Sequence, residues 1–179
     1  MNKLTILLLF AFLLTACESN SPEHVFDVAV LNTNMIFGFA GDGLQRELES
    51  PSVKLVEGST DKTEPMTRKE IIESKIQFID ANLEKVKDIT PSTDTKQMLE
   101  ASVALHEYVL AVYRKEYMQL AALYDSNAPS SETEAAAKNI SEKYYPGFEK
   151  LDNDLIAAGK VFAANNNIKV NWDVNTSPH

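Results

Sequence analysis

The sequence predicts an all-α fold, a mostly antiparallel four-helix bundle, and three observations lead there. Apolar residues recur at alternating spacings of three and four along the later two thirds of the chain. Six glycines and seven prolines are few for a β-rich chain with many turns. Alanine, leucine, glutamate and lysine dominate the same stretches, and all four favour helix.

The first residues stand apart from that fold. Lys3 gives a short charged start, and residues 4–14 are apolar except for Thr5. A helix that spans a bilayer needs roughly 20 apolar residues, so this run has the length of a signal peptide instead. Residues 1–16 are therefore expected to be cleaved. Leu14, Thr15, Ala16 and Cys17 form a leucine, two small residues and a cysteine. This junction resembles the lipobox of bacterial lipoproteins. The resemblance implies that Cys17 is lipidated, becomes the mature N-terminus and anchors the chain to a membrane, with residues 17–24 as lipidated cysteine and tether. The simpler alternative is an ordinary signal peptide that contains a cysteine. In such lipoproteins an aspartate after the cysteine favours inner-membrane retention. Glu18 stands there, which leans towards the outer membrane, with the periplasmic or surface face left open. Cys17 is the chain's only cysteine, so no internal disulfide can form.

A single domain is expected over residues 25–175. Its first element reads as a helix over 24–49, broken near Gly41, because Gly38, Gly41 and Gly43 interrupt the pattern. Residues 50–66, with Pro51, Gly58 and Pro65, read as a long loop holding a short extended segment at 53–57. Thr67 and Glu70 have capping-box spacing, and Ile72, Ile76, Ile79, Leu83 and Val86 form the seam of the next helix. Pro91 ends it, and Ser92 or Thr93 is placed to cap the third. That helix carries Leu99, Val103, His106, Leu110, Tyr113, Tyr117, Leu120 and Tyr124 on one stripe. The fourth starts at Ser130 or Ser131, runs through Ile140, Tyr144, Phe148, Leu151, Leu155 and Phe162, and is expected to kink or split at Pro146. Ile168, Val170, Trp172 and Val174 then alternate with polar residues, which is the period of extended chain. A short two-strand patch (about 53–57 and 168–174) is expected against the bundle.

Composition narrows the function. A formal net charge of −9 opposes nucleic-acid phosphates, so no nucleic-acid partner is expected. His106 is the only histidine inside the helical region, and Val103 occupies the place where a carboxylate-bridged site would have glutamate. No metal, cofactor or catalytic residue is assigned. There is no Gly-x-Ser-x-Gly, and the glycines at 38, 41 and 43 match no phosphate-binding loop. His106, Tyr113, Glu116 and Tyr117 are the candidates for a small-molecule pocket between helices, against the plainer reading of core tyrosines with hydroxyls at the rim.

The helices behind the lipobox are similar to those of helical-bundle lipoproteins of bacterial envelopes. That resemblance implies a non-enzymatic role through a protein partner, in assembly, exclusion or immunity, or at the surface. The alternative is a small-molecule-binding bundle that uses the tyrosine seam. A flat apolar patch over 26–39 would favour the first. A closed cavity beside Tyr113 and Tyr117 would favour the second.

Overall fold

The computed structural model describes residues 21–36 and 38–172. Cys17 and the lipobox lie outside the described residues, as do positions 173 and 174 of the C-terminal alternating segment. The elements are α1 (Pro22–Ala29), a 3-10 helix (Leu31–Ile36), α2 (Asp42–Glu49), β1 (Val53–Leu55), β2 (Thr63–Pro65), α3 (Arg68–Asp88), α4 (Lys96–Val112), a π turn (Tyr113–Tyr117), α5 (Met118–Asp125) and α6 (Ser130–Asn165). The fold is all-α with a small antiparallel two-strand patch. No helix among the described residues is long and apolar enough to cross a membrane.

The long helices alternate in direction. Asp80 of α3 meets Arg114 and Lys87 meets Glu107, while Asp125 at the end of α5 accepts from the Arg68 and Lys69 amides at 2.9 and 3.1 Å. Residue numbers rise on one helix as they fall on the other. The same holds between α4–α5 and α6: Asp94 binds Asn165 and Asn166, and Tyr108 reaches Tyr144. α3 begins with the expected capping box, in which Thr67 and Glu70 satisfy each other's backbone amides.

Residues 21–49 form the fourth member of the bundle in pieces. Phe26 packs edge-on to Trp172, Ala29 accepts from Ser102, Phe39 sits beside Tyr113, and Leu48 accepts from Arg68. The segment thus climbs the bundle from one end to the other. The sequence predicted one helix broken near Gly41. The chain breaks twice instead, into a 3-10 helix after Val30 and into turns at 38–41, where Gly38 has φ +84° and Ala40 φ +54°. A left-handed backbone ends a right-handed helix, and glycine adopts it without steric cost.

Other expectations need correction. The helix starts at Pro22, so residues 22–24 belong to the domain and not to a tether: Ser21 caps it by accepting from the His24 amide, and proline suits the first helical position. Residues 50–66 fold as a hairpin in which Val53 pairs Pro65 and Leu55 pairs Thr63. The partner of β1 is therefore β2, and the described part of the 168–174 segment, residues 168–172, is not paired with it. The alternation at 168–172 does have a cause. Ile168, Val170 and Trp172 are half-buried while Lys169 and Asn171 are exposed, so the segment is one-sided without pairing as a strand. The helix before it closes on a full Schellman motif. Ile168 donates to Ala163 and Asn167, at φ +56°, donates to Ala164. The end of α5 repeats this with Asn127 and Ala128.

Pro146 splits nothing, and α6 is a single 36-residue helix. Its start is not capped by Ser130 or Ser131 side chains, because Pro129 occupies the cap position. Likewise Thr95, not Ser92 or Thr93, precedes α4, with Ser92 and Thr95 bonded to each other.

Candidate functional site

The four sequence candidates lie on one continuous helical rod, yet they occupy three different settings. Tyr113 and Tyr117 open and close the π turn, a wider turn that recurs at functional positions in helices. Their rings stack at 4.9 Å between centroids and are almost fully buried. Phe39 enters from the opposite wall, with its ring 5.8 Å from Tyr113, 6.0 Å from Tyr117 and 5.0 Å from Phe148. The next residue fixes it there: the Ala40 amide donates to the Tyr117 hydroxyl at 2.9 Å. Tyr108 joins the same cluster, and its hydroxyl donates to the Tyr144 carbonyl at 2.9 Å. That approach requires Gly147, since a Cβ there would stand 2.4 Å from the Tyr108 oxygen.

The tyrosine seam is thus filled by the chain's own Phe39. Burial pushes the Tyr117 phenol up to about 12 and the Tyr113 phenol higher still. Both stay protonated at neutral pH, so neither serves as a base. Over the edge of Tyr117 lies an open cleft of about 450 Å³ between the start of α2 and α6, lined by Ala40, Asp42, Gln45, Leu120, Ser141 and Glu142 among others.

Glu116 points elsewhere. It is half-buried at the rim, accepts from the Tyr144 hydroxyl at 2.9 Å and pairs with Lys115 at 3.4 Å. The Tyr144 bond, more than the lysine, holds its carboxyl below the usual range.

His106 lies two turns before Tyr113 and is fully buried in a polar network. Its Nε2 lies 3.0 Å from Asn82 Nδ2 and its Nδ1 2.7 Å from the Ser102 carbonyl. Asn82 also donates to the Val28 carbonyl at 3.2 Å and accepts from Asn32 at 2.8 Å, while the Ser102 hydroxyl donates to the Ala29 carbonyl at 2.7 Å. Burial holds the imidazole below its ordinary pKa.

Sequence reasoning missed Phe39 and Ala40 here, along with Asn82, Ser102 and Asn32. A signal existed for two of them. Asn82 interrupts an apolar seam between Ile79 and Leu83, and Ser102 precedes His106 by four residues on the same helix face. Neither feature that was to discriminate protein from ligand binding appears as described. Phe26, Val28, Val30, Ile36 and Phe39 are core residues and form no flat surface patch, and the space beside Tyr113 is occupied by Phe39. Among the described residues no cluster of three or more histidine, cysteine or acidic side chains could hold a metal. The chain matches no family model, and no curated protein or solved structure matches it significantly.

Proposed function

We propose that this chain is a lipid-anchored protein of the bacterial envelope, held through Cys17, whose helical domain works by docking a protein partner. The carrying observation is the polarity of the bundle. Ser21, the cap of α1, follows Cys17 by four residues, which reach about 14 Å at full extension. Such a short link would keep the α1 end of the domain against the lipid surface. From Asn82, which binds Val28 of α1, to Glu70, which binds Lys54 of the hairpin, α3 rises about 18 Å. The hairpin is therefore at the end remote from the anchor. Its outer face exposes Val53 and Leu55 at 61% and 58%, while Lys54 between them turns inward to Glu64 and Glu70. Two apolar side chains side by side on a projecting hairpin suit a protein contact. Glu18 in place of aspartate supports the outer membrane.

The anchor is tested with Cys17→Ser. Metabolic labelling with a fatty acid should mark the wild-type chain and leave the variant unlabelled and unprocessed. Continued labelling of the variant would overturn the reading.

A second reading rests on the cleft over Tyr117. Its floor of Ala40, Leu120 and Tyr117, with polar groups at the rim, suits a small molecule.

A further inference from the structure

The hydrogen-bond geometry of the buried polar network assigns the proton on His106 to Nδ1. The Val28 carbonyl can only accept, so the Asn82 atom facing it is the amide nitrogen. The same nitrogen faces His106 Nε2, which must therefore accept. The proton then resides on Nδ1, which faces the Ser102 carbonyl, again an acceptor only. Asn32 donates to Asn82 Oδ1, and the Ser102 hydroxyl lies a further 3.5 Å from Nδ1.

A second proton has no place in this arrangement. Nε2–H would oppose an Asn82 N–H across 3.0 Å. Turning the Asn82 amide would give the imidazolium an oxygen, but would remove the donor from Val28 and set a second amide nitrogen against Asn32. The carbonyls of Val28 and Ala29 belong to the last turn of α1, where a helix has no internal donors, so Asn82 and Ser102 supply their partners.

Among the described residues no fully buried carboxylate compensates. His106 responds to burial and to the Ser102 carbonyl alone. Charged and titratable groups on the surrounding elements include Glu23, His24 and Asp27 of α1, the Asp80–Arg114 pair of α3 and the π turn with the Lys87–Glu107 pair of α3 and α4, and Asp152 of α6. The first three sets lie at the surface, and Asp152 is half-buried. The 3-10 helix brings only uncharged Asn32, Thr33 and Asn34.

We infer that His106 and Asn82 form a proton-operated latch on α1: neutral His106 holds the helix down, and protonation releases it while the long helices stay packed. The sign follows from proton counts. With α1 lifted, His106 titrates near its ordinary value of about 6.5, whereas the closed form takes the proton only at lower pH. The latch is fully closed above about pH 6.5 and weakens as pH falls through the window down to the closed-form value. The opening equilibrium rises about tenfold per pH unit across that window.

The test is hydrogen exchange on the full chain in detergent micelles at pH 7.5 and 5.5, corrected for intrinsic rates. Opening of the amides of Val25, Phe26 and Val30 should increase on acidification, by up to about tenfold. Those of Ile140 and Leu155 in α6 should stay unchanged. His106→Gln should abolish the pH response in α1, and Asp152→Asn should preserve it. Should His106→Gln fail to fold, nitrogen NMR of the wild-type imidazole decides independently, with the proton on Nδ1 at pH 7.5 expected. A proton on Nε2, a pH-independent α1, or equal loss of protection in every helix would each overturn the latch.

Discussion

Tyr117 does more for the fold than its ring area suggests. Its hydroxyl is the acceptor for the buried Ala40 amide, at a residue in left-handed conformation. Tyr117→Phe keeps the ring stack and orphans that amide, which costs about 1–3 kcal/mol. Tyr113→Phe removes a hydroxyl at the other end of the same stack and should cost less. Urea denaturation of the two variants checks the order, and equal losses would refute the role given to the Ala40 bond. Of the four residues picked from sequence, the burial of Tyr113 and Tyr117 was legible from their place on the stripe. Their partner was not: Phe39 lies more than seventy positions away, in a stretch whose glycines obscure any period. His106 shares that stripe, so its burial was legible in the same way. Its network was hidden because four of the five residues that contribute to it come from distant parts of the chain.

At the scale of elements, the helix ends carry information that the seams do not. Asn127 and Asn167 take the left-handed position of their Schellman motifs, where glycine is the usual occupant. Asn127→Gly should stabilise the chain by about 0.5–1 kcal/mol, and Asn127→Ala should destabilise it by about 1 kcal/mol. Thermal unfolding of the pair reads both, and a stabilising alanine would contradict the motif. The three long helices and the capping box at Thr67 were readable because periodicity and capping are local properties. The sequence overestimated Pro146, since proline removes one bond from a helix otherwise held by packing on both sides of that point. Ala158, Gly159, Phe162 and Ala163 are buried beyond it, and Ile140 before it. It underestimated the hairpin, because strands of three residues carry too few positions for a period.

For the molecule as a whole, polarity makes the sharpest prediction. A photo-crosslinking residue at position 55 should capture a protein partner in intact envelopes, and the same residue at Val161, exposed on α6, should capture none. Capture at Gln45, in the lip of the cleft, with none at 55 would refute hairpin docking and favour the cleft. The antiparallel order of the three long helical members followed from short connections between amphipathic segments. The fourth member's segmentation did not, because it depends on contacts with three other helices at once.

The climb of residues 21–49 along the bundle also sets an order of events during synthesis. These residues emerge from the ribosome before their partners: Asn82, then Ser102, then Gly159 and finally Trp172 beside Phe26. Val25, Phe26, Val28 and Ile36 must therefore wait uncovered until almost the whole chain exists. These apolar side chains wait through most of the chain's synthesis for their cover. An apolar segment made this long before its partners needs a companion until they arrive.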